Sequence, residues 1–142
     1  MIITGILKDA RAGVYEDEHH LSVMAGDKLY HLNYLRMGNM AEQKGAENFA
    51  LGQKVSYPVK LIYVHEYENA APSEKMGLTH TQPPTGNAVV IGKVKEKIDA
   101  FTYRLDLEKG EPLLVEFEWA PDLKIGIIIK IRGELAVDQL GD

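Results

Sequence analysis

Apolar and polar positions alternate with period two through most of this chain. In the first half Leu21 and Val23 alternate with Ser22 and Met24, and the run ends at Gly26. A second run, Leu29 to Leu35, sets Tyr30, Leu32 and Tyr34 against His31, Asn33 and Leu35. In the second half, Leu105 to Gly110 precedes Leu113 to Trp119, where Val115, Phe117 and Trp119 alternate with Glu116 and Glu118. Further on, Ile127, Ile129 and Ile131 alternate with Ile128, Lys130 and Arg132. Such alternation, punctuated by glycine turns, predicts half-buried strands joined by hairpins.

The pattern occurs twice. Ile3-Thr4-Gly5-Ile6-Leu7-Lys8-Asp9 and Val90-Ile91-Gly92-Lys93-Val94-Lys95-Glu96 each open a half. A hairpin follows each, and a glycine with a β-rich run closes each: Leu51-Gly52 onward and Ile125-Gly126 onward. Pro58 and Gly133 are candidate breaks within these closing runs. The Pro-, Gly-, Ser- and Thr-rich stretch Asn69 to Asn87 lies between and reads as a linker or long surface loop. Asn39 with Glu42 three residues on predicts one short helix to about Phe49. A bent first strand, a hairpin, a connection and returning strands resemble the OB-fold, a small Greek-key barrel. The expectation is therefore an all-β chain with one short helix, made of two tandem OB-like barrels. They would span 1–68 and 88–142, with 69–87 between them. A single larger barrel or sandwich from both halves is the alternative.

Turn lengths predict register. A two-residue Gly26-Asp27 turn pairs Val23 with Tyr30 and Leu21 with Leu32, which favours the tyrosine face as core. A three-residue Lys109-Gly110-Glu111 loop would pair Leu105 with Val115 and Tyr103 with Phe117.

Composition bounds the chemistry. With 142 residues, one ordinary domain or two very small ones can form without staples. The chain has no cysteine, which removes disulfides, thiolate metal sites and cysteine nucleophiles and points to a reducing, cytoplasmic home. Lys+Arg number 16 and Asp+Glu 21, a net charge of −5, which argues against general polyanion binding but not against a local basic site. No run approaches the ~20 apolar residues of a membrane helix. The start MIITGIL lacks the features of a signal peptide.

Three constellations carry candidate chemistry. Lys93, Lys95 and Lys97 share one strand face, and Lys130 and Arg132 share another. In an OB-like barrel these strands are neighbours, so five cations with Arg104 nearby would form an outer strip suited to phosphates, with Tyr103 as a base-stacking ring. Asp106, Glu108 and Glu134 occupy the same surface and would neutralise it in ordinary ion pairs. The second constellation is an uncharged outer face of Ile2, Thr4, Ile6, Ser22, Met24, Leu29, His31 and Asn33, suited to another subunit, a partner or the second half. The third is Glu16-Asp17-Glu18-His19-His20, with His65-Glu66-Tyr67-Glu68 as a weaker echo. Adjacent histidines on a strand point apart, so no metal site is expected. The other tyrosines, Tyr15, Tyr57, Tyr63 and Tyr67, are read chiefly as strand and core residues.

No phosphate loop, nucleophile elbow, zinc-protease or dinucleotide motif is present in the sequence. The expected function is non-enzymatic binding, without cofactor. Single-stranded nucleic acid would lie along Lys93, Lys95, Lys97, Tyr103, Arg104, Lys130 and Arg132. The alternative is a protein-interaction module, such as an adaptor, inhibitor or assembly component. It would use Ile2, Ile6, Met24, Leu29 and His31, with homo-oligomers possible.

Overall fold

A computed structural model describes residues 1–13, 18–35 and 49–138. They form ten strands: β1 (Ile2–Ala12), β2 (Glu18–Ala25), β3 (Lys28–Leu35), β4 (Lys54–Val64), β5 (Tyr67–Asn69), β6 (Gly77–His80), β7 (Asn87–Lys97), β8 (Thr102–Asp106), β9 (Leu113–Phe117) and β10 (Ile128–Val137). The chain is all-β, and no helix occurs among the described residues. The helix expected from Asn39 falls on 36–48, outside the described residues.

Eight strands close a barrel in the order β1-β2-β3-β10-β7-β8-β9-β4 and back to β1. The β3–β10 and β4–β9 contacts are parallel and the rest antiparallel. β4 and β10 also pair directly, with Leu61 opposite Leu135. Closure leaves little unpaired edge. The inward positions are those the alternation marks: Leu21, Val23, Leu32, Leu61, Val90, Val94, Leu105, Val115, Ile129, Ile131 and Leu135 are all buried. At roughly 1.5–3 kcal/mol per large side chain, this continuous core is what holds the ring closed.

Two glycines let the opening strands pass close to their hairpins. A Cβ on Gly5 would stand 2.1 Å from the Met24 carbonyl oxygen, and one on Gly92 2.9 Å from Leu107 Cδ2. Each opening strand then bulges, between Leu7 and Asp9 in β1 and between Val94 and Glu96 in β7. Each bulge is anchored alike. Leu7 donates to Gln53 O (2.9 Å) and accepts from Gly52 N (2.8 Å). Val94 donates to Ile127 O (2.8 Å) and accepts from Gly126 N (2.8 Å). Gly52 and Gly126 both have positive φ, +85° and +97°, where a side chain would strain the backbone.

The first hairpin has the expected register, Val23 opposite Tyr30 and Leu21 opposite Leu32. The second does not. Leu105 pairs with Leu113 and Tyr103 with Val115, so the loop is longer than three residues. The difference is two residues, so every side chain keeps its face, which is why face patterning alone could not detect it. Neither candidate break interrupts its strand. Pro58 marks the point where β4 leaves β1 and meets β10, and Gly133 lies within continuous β10. The stretch read as a linker is partly ordered against the sheet: β6 pairs with β7, opposing Leu78 to Val90 and Thr79 to Val89.

Candidate functional site

The two lysine-bearing strands are neighbours, and their register sets the cations opposite apolar residues rather than opposite one another. Lys130 lies opposite Ile91 and Arg132 opposite Val89, while Lys93 faces Ile128. The bulge after Val94 then resets the alternation. Glu96, not Lys97, lies opposite outward-pointing Arg104, and Lys97 comes opposite inward-pointing Tyr103. Sequence alternation placed Lys93, Lys95 and Lys97 on one face because a bulge adds a residue that period-two counting cannot see.

Carboxylates hold several of these cations. Arg104 Nη1 is 2.7 Å from Glu96 Oε1 and Lys95 Nζ is 3.9 Å from Asp106 Oδ1. Lys130 Nζ donates to Glu74 Oε2 at 2.8 Å, and that ammonium, with the Ala71 N–H, holds the Glu74 carboxyl below its ordinary range. Exposed pairs add little stability, but each cancels local positive potential. Lys93, Lys97 and Arg132 make no ion pair with any described residue. Tyr103 is fully buried, its hydroxyl donating to Pro121 O at 2.9 Å and its ring edge-on to Phe117. A ring with no exposed face cannot stack on a base, so Tyr103 is a core residue.

The uncharged face divides in two. At one end Ser22, His31 and Asn33 are buried, and the chain's own segment 77–87 lies against His31. Ser22 Oγ and His31 Nδ1 are hydrogen-bonded at 2.8 Å. The His31 backbone N–H donates to His80 Nε2 at 3.0 Å, and Asn33 Nδ2 donates to the Glu134 carboxylate. Gly86 closes the contact: a Cβ there would stand 2.6 Å from Leu135 O. Burial, opposed by a hydrogen bond to Asn87 O and reinforced by His31 and Lys28, lowers the His80 pKa to about 4. Burial and the Arg11 charge lower that of His31. His31 is therefore covered from within, and an external partner cannot reach it while this segment is in place.

The other end stays open. Ile6 pairs with Met24, and Met24 with Leu29, so the three form one apolar row across β1, β2 and β3. Ile6 and Met24 are half-buried and Leu29 is 36% exposed. Ile2, on the same outward parity of β1, is 52% exposed. Next to it, Met1 to Thr4, Ala25, Tyr30 and Lys109 to Glu111 line a cleft of about 410 Å³. One wall is the edge of β1 itself: β2 begins pairing only at Ile6, and no described residue pairs with Ile2–Gly5 on that side. Tyr30, Lys109 and Glu111 were not legible as site residues, because the cleft joins a strand start to a hairpin loop from the other half.

Glu16 and Asp17 lie outside the described residues, His19 is buried, and His20 Nε2 sits 3.2 Å from Glu18 Oε1. Among the described residues no three metal-ligating side chains cluster. Nor is any described helix long and apolar enough to cross a membrane. Comparisons with protein families, with curated proteins and with solved structures find no match to this chain.

Proposed function

We propose that this chain is a non-enzymatic binding protein that meets a protein partner through the open end of its uncharged face: Ile2, Ile6, Met24 and Leu29. The observation that carries this reading is the cross-strand row Ile6–Met24–Leu29, which runs uncharged towards a strand edge that no described residue pairs. Contiguous exposed apolar surface of this kind is uncommon on monomers and marks contact sites. The finer reading of the fold is that the barrel is two OB-like barrels side by side. β1-β2-β3-β10-β4 would be one ring and β7-β8-β9-β4-β10 the other, each half supplying the other's fifth strand. The matched anchors at Leu7 and Val94 support that duplication.

The test is Met24→Glu, which places a charge in the middle of the row without entering the core. With a purified partner, identified by capture and mass spectrometry, the variant is expected to bind at least about ten-fold more weakly, a loss of about 1.4 kcal/mol. Lys124→Glu, at an exposed position outside the row, should bind normally. Unchanged binding by Met24→Glu, together with a monomeric wild-type mass, overturns the proposal. Single-stranded nucleic acid is the second reading, supported now by Lys93, Lys97 and Arg132.

A further inference from the structure

We infer that the β1 edge at Ile2–Thr4 receives an extended segment of a partner protein as an added antiparallel strand, in the way the chain's own β6 lies on β7. This inference rests on the duplicated-barrel reading above and names the mode by which the proposed face binds.

The equivalence can be counted residue by residue. The matched anchors make Leu7 correspond to Val94. Four residues back, Ile3 corresponds to Val90, with Ile2 matching Val89 and Thr4 matching Ile91. Their other-edge partners agree: Ile2 pairs with Pro58 as Val89 pairs with Arg132, and Ile6 with Lys54 as Lys93 with Ile128. On β7 the free side of this stretch is filled. Gly77, Leu78 and Thr79 lie opposite Ile91, Val90 and Val89, and Leu78 is buried there. On β1 the corresponding side is the 410 Å³ cleft. The same seat thus occurs twice, closed once by β6 and, among the described residues, open once.

The open seat has the chemistry of an edge acceptor. Val59 N donates to Met1 O, so in an antiparallel ladder the odd-numbered peptide groups of β1 face β4 and those of Ile2 and Thr4 face the cleft. Main-chain groups there are positioned to pair with an incoming strand, which is how sheet edges recognise extended peptides. The side chain opposite Ile3 enters beside Ala25 and Tyr30, so a branched aliphatic residue fits, as Leu78 does over Val90. Its neighbours, opposite exposed Ile2 and Thr4, can be small or polar. One charge differs. In the filled seat Lys28 Nζ donates to Leu78 O at 2.5 Å; hairpin register places Glu111 at the corresponding position of the open one.

The probe is a synthetic peptide of residues 75–82, Lys-Met-Gly-Leu-Thr-His-Thr-Gln, added to the intact isotope-labelled protein. The expected result is saturable amide shifts at Ile2–Thr4, Ala25, Tyr30 and 109–111, with slowed hydrogen exchange of the Ile2 and Thr4 amides. N-methylation of the peptide at Thr79, which removes a ladder donor and keeps the side chains, should weaken binding at least about ten-fold. Shifts confined to 88–91, meaning exchange with the chain's own β6, overturn the inference, as does no saturable shift at all. Equal binding by the N-methylated peptide overturns strand addition while leaving the apolar-face proposal to the Met24→Glu result. A doubled mass with Ile2 and Thr4 protected before peptide is added overturns it in favour of a second copy.

Discussion

The His80 imidazole accepts the backbone N–H of His31 at 3.0 Å, and its other nitrogen lies 3.2 Å from Asn87 O. The bond from His31 needs an unprotonated Nε2, so the contact that clamps segment 77–87 onto β3 exists only with a neutral ring. Folded, His80 holds its proton only near pH 4, against 6.5 when unfolded. Between those values the unfolded chain binds more protons, so stability falls as pH drops from about 6.5 towards 4. His31 shifts in the same direction. Lys28 and Arg11 add positive charge on this side, and Tyr30 packs edge-on to the ring. Glu74 and Asp99 have lowered pKa values and lose their contribution only below their ordinary 4.5 and 3.8. Thermal melts should show the midpoint falling by roughly 5 °C between pH 7 and pH 5. In His80→Gln the fall should be less than half as large. Equal falls in both proteins would place the acid sensitivity elsewhere.

Glycine substitutions should separate close approach from backbone conformation. Gly5→Ala puts a methyl group into the Met24 peptide, a rigid neighbour at 2.1 Å, and is expected to cost about 3 kcal/mol. Gly26 has open space around it and φ +65°, so Gly26→Ala should cost only about 1 kcal/mol, from the left-handed conformation. Denaturant unfolding of the two variants gives the comparison. A smaller loss for Gly5→Ala than for Gly26→Ala would contradict the close packing of β1 on β2.

The β4–β10 pairing predicts strong cooperation between the halves. Residues 1–68 alone lack β10, and 88–142 alone lack β4. Each fragment is expected to show little strand circular dichroism by itself, and an equimolar mixture should recover it. Leu61→Ala or Leu135→Ala, at the point where the two strands face each other, should cost about 2–5 kcal/mol and lower one single transition. Two separate transitions would show that the halves are independent.

For nucleic acid, the ion pairs at Lys95, Arg104 and Lys130 set the expectation. A labelled single strand should bind weakly at low salt and be lost near 0.15 M, since few phosphates can be neutralised. Tight binding at 0.15 M that disappears in Lys95→Glu plus Arg132→Glu would restore the basic strip as the working surface.

Period two was enough to read the all-β class, most inward positions and the first hairpin from residues alone. It failed where one residue is added or where distant segments meet. The bulge beyond Val94 turned a three-lysine row into alternating Lys95, Glu96 and Lys97. The buried Tyr103 hydroxyl depends on Pro121, whose carbonyl comes from a loop without periodicity. Ile6, Met24 and Leu29 were legible as one face because two consecutive tight pairings join them. The cover over His31 was not, because β6 comes from a stretch whose Pro and Gly content resembles a linker.

The pairing of β3 with β10 has a consequence during synthesis. β1, β2 and β3 leave the ribosome with their apolar sides bare, and the strand that pairs with β3, Ile128–Val137, is made long after them. Contacts spanning so much of the chain slow folding, and an unfinished sheet invites pairing with other chains. The half-made sheet is therefore expected to be open to stray strand pairing until Ile128–Val137 has been translated.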